Sequence, residues 1–134
     1  MRLLIDTNVF LEVILWQEKA EEAWAFLRGV EEHDLFISDY SFHSIGLLLF
    51  RRKLHDVFRQ FVTDMMLNAG VVITSLLAED MAAVVNTAQR FGLDFDDAYQ
   101  YVVAQKHNLI IVSFDSDFDR TEQGRNTPGE VIES

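Results

Sequence analysis

Three groups of aspartates carry whatever chemistry this sequence can do: Asp6 in "LLIDTN", Asp94, Asp96 and Asp97 in "LDFDD", and Asp115, Asp117 and Asp119 in "SFDSDFD". Carboxylates a few ångströms apart repel, so such groups are costly unless they are splayed into water, cap helices or hold a cation. Taken singly, each fits a capping role, because aspartate is a preferred N-cap and is favoured at the positive end of a helix dipole. Asp94 followed by Asp97 even has the spacing of a capping box. Taken together, they match the needs of a hard divalent cation such as Mg²⁺ or Mn²⁺. Such an ion takes oxygen ligands from a few carboxylates and leaves its other positions to water and substrate phosphate.

Whether the groups can meet depends on the elements that carry them. "RLLI" (2–5), "DLFIS" (34–38), "VVIT" (71–74) and "LIIVS" (109–113) read as short buried strands. Between them lie stretches of helical periodicity. Val9, Phe10, Val13 and Ile14 follow a cap at Asp6–Asn8; Ala20, Trp24, Leu27 and Val30 mark a second helix; a third is entered through Ser38 or Asp39. Leu54, Phe58, Phe61, Val62, Met65 and Met66 predict one long helix that stops near Gly70. Met81, Val84, Val85, Ala88 and Phe91 line another, ended by Gly92 in a left-handed conformation, and "DFDDAYQYVVAQKH" forms the next, with Asn108 as its stop. The tail with Pro128 reads as a surface loop with at most a short terminal strand.

Strands separated by helices of ten or more residues require crossover connections. The expected fold is therefore an α/β three-layer α/β/α sandwich on a mainly parallel sheet of four to five strands. Ligands of such sheets bind beyond the carboxyl ends of the strands. Asp6 and Asp115 each follow a strand directly, so parallel strands bring them to the same edge.

The composition, 49% hydrophobic over 134 residues, provides for a single domain, 1–134, with one core. The absence of cysteine excludes disulfides and thiolate metal sites and fits a reducing compartment. The apolar N-terminus is interrupted by Asp6 and Glu12, so neither a signal peptide nor a membrane span is expected, and a cytoplasmic protein is the default. A net charge of −11 repels phosphate backbones and argues against simple electrostatic binding of nucleic acid. It leaves room for a nucleic-acid enzyme whose acids surround a metal that meets the phosphate.

"LLIDTNVFLE", "LDFDDAYQYVVAQ" and "LIIVSFDSDFD" resemble, in order and spacing, the motifs of the PIN-domain family. That family comprises small metal-dependent ribonucleases, many of them the toxin halves of bacterial toxin–antitoxin pairs. The resemblance covers nearly the whole chain. It implies that Asp6, Asp97 and Asp115 are the ligands of Mg²⁺ or Mn²⁺ and that Asp117 joins them as a further catalytic acid. It also implies that Asn8 orients Asp6 or a water, and that Ser113 stands where the motif often has threonine. Ser44 stands where the family commonly has a glutamate in the helix after the second strand, which reduces a four-carboxylate site to three. The implied partners are an RNA substrate, a cognate antitoxin over the acidic pocket and a second copy of the chain in a homodimer.

Other side chains are open to more than one role. His43 is a metal ligand or a structural histidine, and Arg51, Arg52 and Lys53 either meet RNA or complement a helix dipole. Arg120 and Arg125 adjoin the acidic motif as phosphate-contact candidates, Asp39 or Asp96 could replace the missing glutamate, and Trp16, Trp24 and Phe50 belong to the core or to a partner surface. Two functions follow: a metal-dependent endoribonuclease, toxin-like, or a catalytically weakened PIN-like module kept for binding or regulation.

Overall fold

Alternation of side chains along the first strand sets the architecture. In β1 (Arg2–Ile5), Leu3 and Ile5 turn to one face of the sheet and Leu4 to the other, and all are fully buried. A strand buried on both faces belongs inside a parallel sheet. The structure, a computed structural model, describes residues 1–133; Ser134 lies outside the described residues. After β1 come α1 (Thr7–Ile14), α2 (Ala20–Arg28), β2 (Asp34–Ser38), α3 (Asp39–Arg51) and α4 (His55–Phe61). They are followed by β3 (Val72–Thr74), α5 (Met81–Phe91), α6 (Phe95–His107), β4 (Ile110–Val112) and α7 (Pro128–Glu133).

Among the described residues, the strands form one four-stranded parallel sheet in the order β3-β2-β1-β4. Leu3 lies between Leu35 and Ile110, and Ile5 pairs with Val112. Val9, Phe10, Ala23, Phe26, Ile45, Leu49 and Phe61 from α1 to α4 cover one face. Tyr101, Val103 and Ala104 of α6 cover the other, with α5 packed outside through Val84. The expected three-layer sandwich is therefore found.

The helix starts are set where the sequence places oxygen side chains. Asp6, Ser38 and Asp94 accept hydrogen bonds from the N–H groups of Thr7 (2.9 Å), Ser41 (3.0 Å) and Asp97 (3.0 Å). Gly92 and Asn108 end α5 and α6 at φ 66° and 57°. Because the strands run parallel, the starts of α1 and α3 and the turn after β4 share one edge of the sheet.

Two expectations are corrected. The stretch Leu54–Met66 is not one continuous α-helix: α4 passes at Phe61 into a wider π-helical segment, Val62–Asn68. The segment ends at Gly70, φ 74°, where the Val71 N–H bonds to the Met65 carbonyl at 2.9 Å, a closure longer than α spacing gives. The apolar residues of both parts still reach one core.

The tail is not a surface loop. Asn126 pairs with Val112 at a single parallel bridge, and α7 follows with Pro128 and Val131 buried. Proline at the first helical position and a reciprocal capping box explain it: the Glu130 N–H donates to Thr127 Oγ1 and the Thr127 N–H donates to Glu130 Oε1. Glu22 of α2 then accepts from the Gly129 N–H at 2.8 Å, so close that a Cβ at Gly129 would lie 2.9 Å from its oxygen. Replacing Glu22 with alanine should cost about 1 kcal/mol by analogy with a lost cap. It should also speed amide exchange through 127–133 while β1 and β2 keep their protection; unchanged exchange there would show that α7 docks without it.

Candidate metal centre

The site forms where β1 and β4 end and α6 begins. Asp97, Asp115 and Asp117 each place a carboxylate oxygen within 4.8 Å of the others. Asp97 is 9% exposed on the first turn of α6. Asp115 caps the short 3-10 turn Ser116–Arg120, its Oδ1 accepting from the Asp117 N–H at 2.8 Å. Three hard oxygen donors so arranged fit a small divalent cation and offer nothing to a soft metal.

Asp6 is 7% exposed, near enough to Asp97 and Asp115 to feel their charge, and both its oxygens are engaged. Its Oδ1 accepts from the Thr7 N–H and from Gln100 Nε2, each at 2.9 Å. Its Oδ2 accepts from the Ser113 hydroxyl at 2.7 Å and, more distantly, from Asn8 Nδ2 at 3.4 Å. The Ser113 Oγ also accepts from the Asp115 N–H at 2.9 Å, which ties the turn carrying Asp115 to Asp6. Asn8 spans the same junction: Nδ2 donates to Ser113 Oγ at 3.2 Å, and Oδ1 accepts from the Phe114 N–H at 3.2 Å.

The electrostatics are those of crowded acids. Burial first, then Asp115, Asp94 and Asp6, push the Asp97 carboxyl up to about 8. Burial also raises Asp6, against hydrogen bonds from Ser113, Gln100 and Thr7 that pull it down. Both shifts favour the protonated acids, and a cation would relieve the same repulsion.

The remaining sequence candidates fall elsewhere. Ser44 is half-buried beside the Tyr40 phenol, which burial pushes up to about 12 while Ser44 lowers it and Asp96 raises it. Ser44 and Asp96 therefore meet at Tyr40, outside the group of three. Asp39 accepts from the Tyr99 hydroxyl at 2.8 Å. His43 is exposed on α3, as are Arg51, Arg52 and Lys53 at its far end. Arg120 bonds the Gly92 carbonyl at 2.6 Å and Asp117 at 3.0 Å, and Arg125 bonds the Ser113 carbonyl and Asp119, so both arginines brace the turn. Trp16, Trp24 and Phe50 are surface residues.

Sequence reading missed Gln100 and Ser41. Gln100 Nε2 donates to Asp6 and to Ser41 Oγ (2.8 Å), which also accepts from Thr7 Oγ1 at 2.7 Å. The signal was present: Gln100 lies three residues after Asp97, on the same helix face, in an otherwise apolar run.

The raised carboxyl of Asp97 fixes a sign. Its folded value lies above the unfolded one, so its contribution to stability is present at low pH and is lost as pH rises from about 4 through about 8. In chelator the melting temperature should therefore fall from pH 5 to pH 8, and Asp97→Asn should flatten that slope. Millimolar Mn²⁺ should stabilise most at pH 8; at a hundred times its dissociation constant it would add about 2.7 kcal/mol. A chelator profile that rises towards pH 8 would contradict the crowding.

The PIN domain pattern matches residues 3–124. A comparison with curated protein sequences gives no match. Solved structures are similar in fold. A chain of a toxin–antitoxin complex from Klebsiella pneumoniae superposes at a TM-score of 0.69, with 21% identity over 94% of this chain and 97% of that one. VapC20 of Mycobacterium tuberculosis, a toxin that cleaves the sarcin–ricin loop, gives 0.71 with 18% identity over 87% and 92%. VapBC2 of Rickettsia felis, solved with a fragment of promoter DNA, gives 0.72 with 16% identity over 94% and 97%. With its parallel sheet, its acidic edge and a match across nearly its whole length, the chain belongs to the PIN domain family.

Proposed function

We propose that this chain, a single domain over 1–134, is a toxin-like endoribonuclease dependent on Mg²⁺ or Mn²⁺. The observation that carries the reading is the convergence of Asp97, Asp115 and Asp117 within 4.8 Å of one another, with Asp6 near enough to Asp97 and Asp115 to add to their repulsion. A structural role alone gives no reason to collect mutually repelling acids at the strand edge where ligands of parallel sheets bind. The family match and the likeness in fold to toxin chains support the same reading.

In this reading Asp97, Asp115 and Asp117 hold the cation, and Asp6 orients the site through Ser113, Asn8 and Gln100. A divalent ion there supplies Lewis acidity at the phosphoryl group. The carboxylates fix where the scissile phosphate sits, and the N-terminus of α6 points backbone N–H groups at the same edge. Because burial and crowding push the Asp97 carboxyl up to about 8, cation binding there competes with its protonation.

Two surfaces suit the expected partners. Phe10, Val13, Ile14, Trp24, Phe61 and Met65 line an apolar groove, a seat for an antitoxin segment. Leu47, Phe50, Ile73 and Phe95 are exposed around α3 and β3, a face for a second copy of the chain in a homodimer. No helix among the described residues is long and apolar enough to cross a membrane; a cytoplasmic site of action is part of the proposal.

The second reading, a weakened module with a binding role, is favoured by one observation: a serine stands at position 44, beside Tyr40 and outside the acidic group. Cleavage separates the two. Purified protein with Mn²⁺ should cut generic single-stranded RNA, chelator should stop it, and Asp97→Asn should lower kcat by at least a hundredfold while the fold survives. Equal cleavage by the variant would sink the assignment. Ser44→Glu tests the departure: if position 44 reaches the ion, the variant should bind Mn²⁺ more tightly and be less stable in chelator, because ligand charge helps only when the cation is present.

A further inference from the structure

We infer that Gln100 is a positioning residue of the acidic site: its side-chain amide fixes the Asp6 carboxylate and so sets α6, with Asp97, against the ends of β1 and β4. The consequences for metal binding and cleavage rest on the nuclease reading proposed above. The structural content does not.

Gln100 sits in the middle of α6 at 1% exposure, among the buried side chains of Ala98, Tyr101, Val103 and Ala104. Burying a primary amide is unfavourable unless its polar atoms are paired. Nε2 is paired twice, to Asp6 Oδ1 at 2.9 Å and to Ser41 Oγ at 2.8 Å. Oε1 is buried and has no hydrogen-bond partner among the described residues. Methionine or leucine would fill this place in the helix without leaving an acceptor stranded, so packing alone does not account for glutamine here. The contact with Asp6 does: a buried carboxylate needs a donor, and turning the amide over to pair Oε1 would set two acceptors against each other.

The geometry gives that contact leverage. Gln100 lies three residues after Asp97 on the same face of α6, so holding Gln100 against Asp6 holds Asp97 as well. On its other oxygen Asp6 is held by Ser113, whose Oγ also receives the Asp115 N–H. Gln100 therefore does for α6 what Ser113 does for the Asp115 turn, and Asp6 stands between the two. The third strong contact, from the Thr7 N–H, is the local cap of α1 and persists without either arm. Losing the amide should free the α6 arm without unfolding the chain.

The test is Gln100→Met, which keeps length and approximate volume and removes the donor. Three quantities are measured beside wild type: Mn²⁺ affinity by calorimetric titration, kcat and KM on single-stranded RNA, and the ¹³C resonance of the Asp6 carboxyl in metal-free protein. Groups that orient metal ligands typically change affinity or activity by about 10–100-fold when removed. The variant should bind Mn²⁺ more weakly by that order, lose kcat by a similar factor with KM unchanged, and show a displaced Asp6 resonance. Gln100→Glu should lose more, because it sets a carboxylate against Asp6. Wild-type affinity together with an unmoved Asp6 resonance in Gln100→Met would overturn the inference and leave the nuclease reading standing. Wild-type protein that neither binds Mn²⁺ nor cuts RNA would overturn the nuclease reading instead. The Asp6 resonance then decides alone: displacement in the variant upholds the positioning role, and no displacement removes it. Should Gln100→Met not fold, Gln100→Asn, which keeps the amide but shortens its reach by one methylene, is compared in the same way.

Discussion

Asp6 accepts hydrogen bonds from Thr7, Asn8, Gln100 and Ser113, and those donors come from α1, from α6 and from the end of β4. A carboxylate withdrawn from water must find such donors, because desolvation of the charge is far more costly than any single hydrogen bond returns. That requirement makes Asp6 the fixed point of the site. The turn after β4 cannot move without disturbing Ser113, nor α6 without disturbing Gln100. Asp97 and Asp115 thus stand at a separation set by a residue that is not among the three converging acids.

Around that fixed point the chain gathers like charges and supplies few cations. Arg120 and Arg125, the arginines nearest in sequence, are bonded to Asp117 and Asp119 and to the backbone carbonyls of Gly92 and Ser113. They brace the turn, and their side chains are half-exposed at Arg120 and largely covered at Arg125. Crowding and burial push the Asp97 carboxyl up, which favours its protonated form. A proton and a divalent ion are alternative solutions to the same repulsion, which is why pH and metal should act against each other at this edge.

The identities between this chain and the solved structures, 16–21%, establish a shared fold. Sites, not folds, decide chemistry. The groove beside Trp24 and the apolar face around Leu47, Phe50 and Phe95 are properties of this chain's own surface. The groove is lined from α1, α2 and α4, whereas Phe95 stands on the first turn of α6, two residues before Asp97, so the second face adjoins the acidic edge.

Much of this was determined by local sequence. The strand at 2–5, the caps at Asp6, Ser38 and Asp94, and the left-handed stops at Gly92 and Asn108 follow from short-range sterics and hydrogen bonding, which act within a few residues. The parallel sheet followed from helices between strands, and with it the shared edge for Asp6 and Asp115. The tail reads as a loop, although "TPGE" carries the signal for α7, proline and a capping box together. The passage of α4 into a π-helical segment was not legible, because the apolar spacing through Met66 suits an ordinary helix and carries no sign of the six-residue closure from Val71 to Met65. Nor did spacing show that Asp97, Asp115 and Asp117 would converge within 4.8 Å of one another while Asp6 took four side-chain and backbone donors, or that Ser44 would sit beside Tyr40. Those outcomes depend on donors that arrive from 94 and 107 residues away, Gln100 and Ser113, and only the tertiary structure brings such partners within hydrogen-bonding distance of one carboxylate.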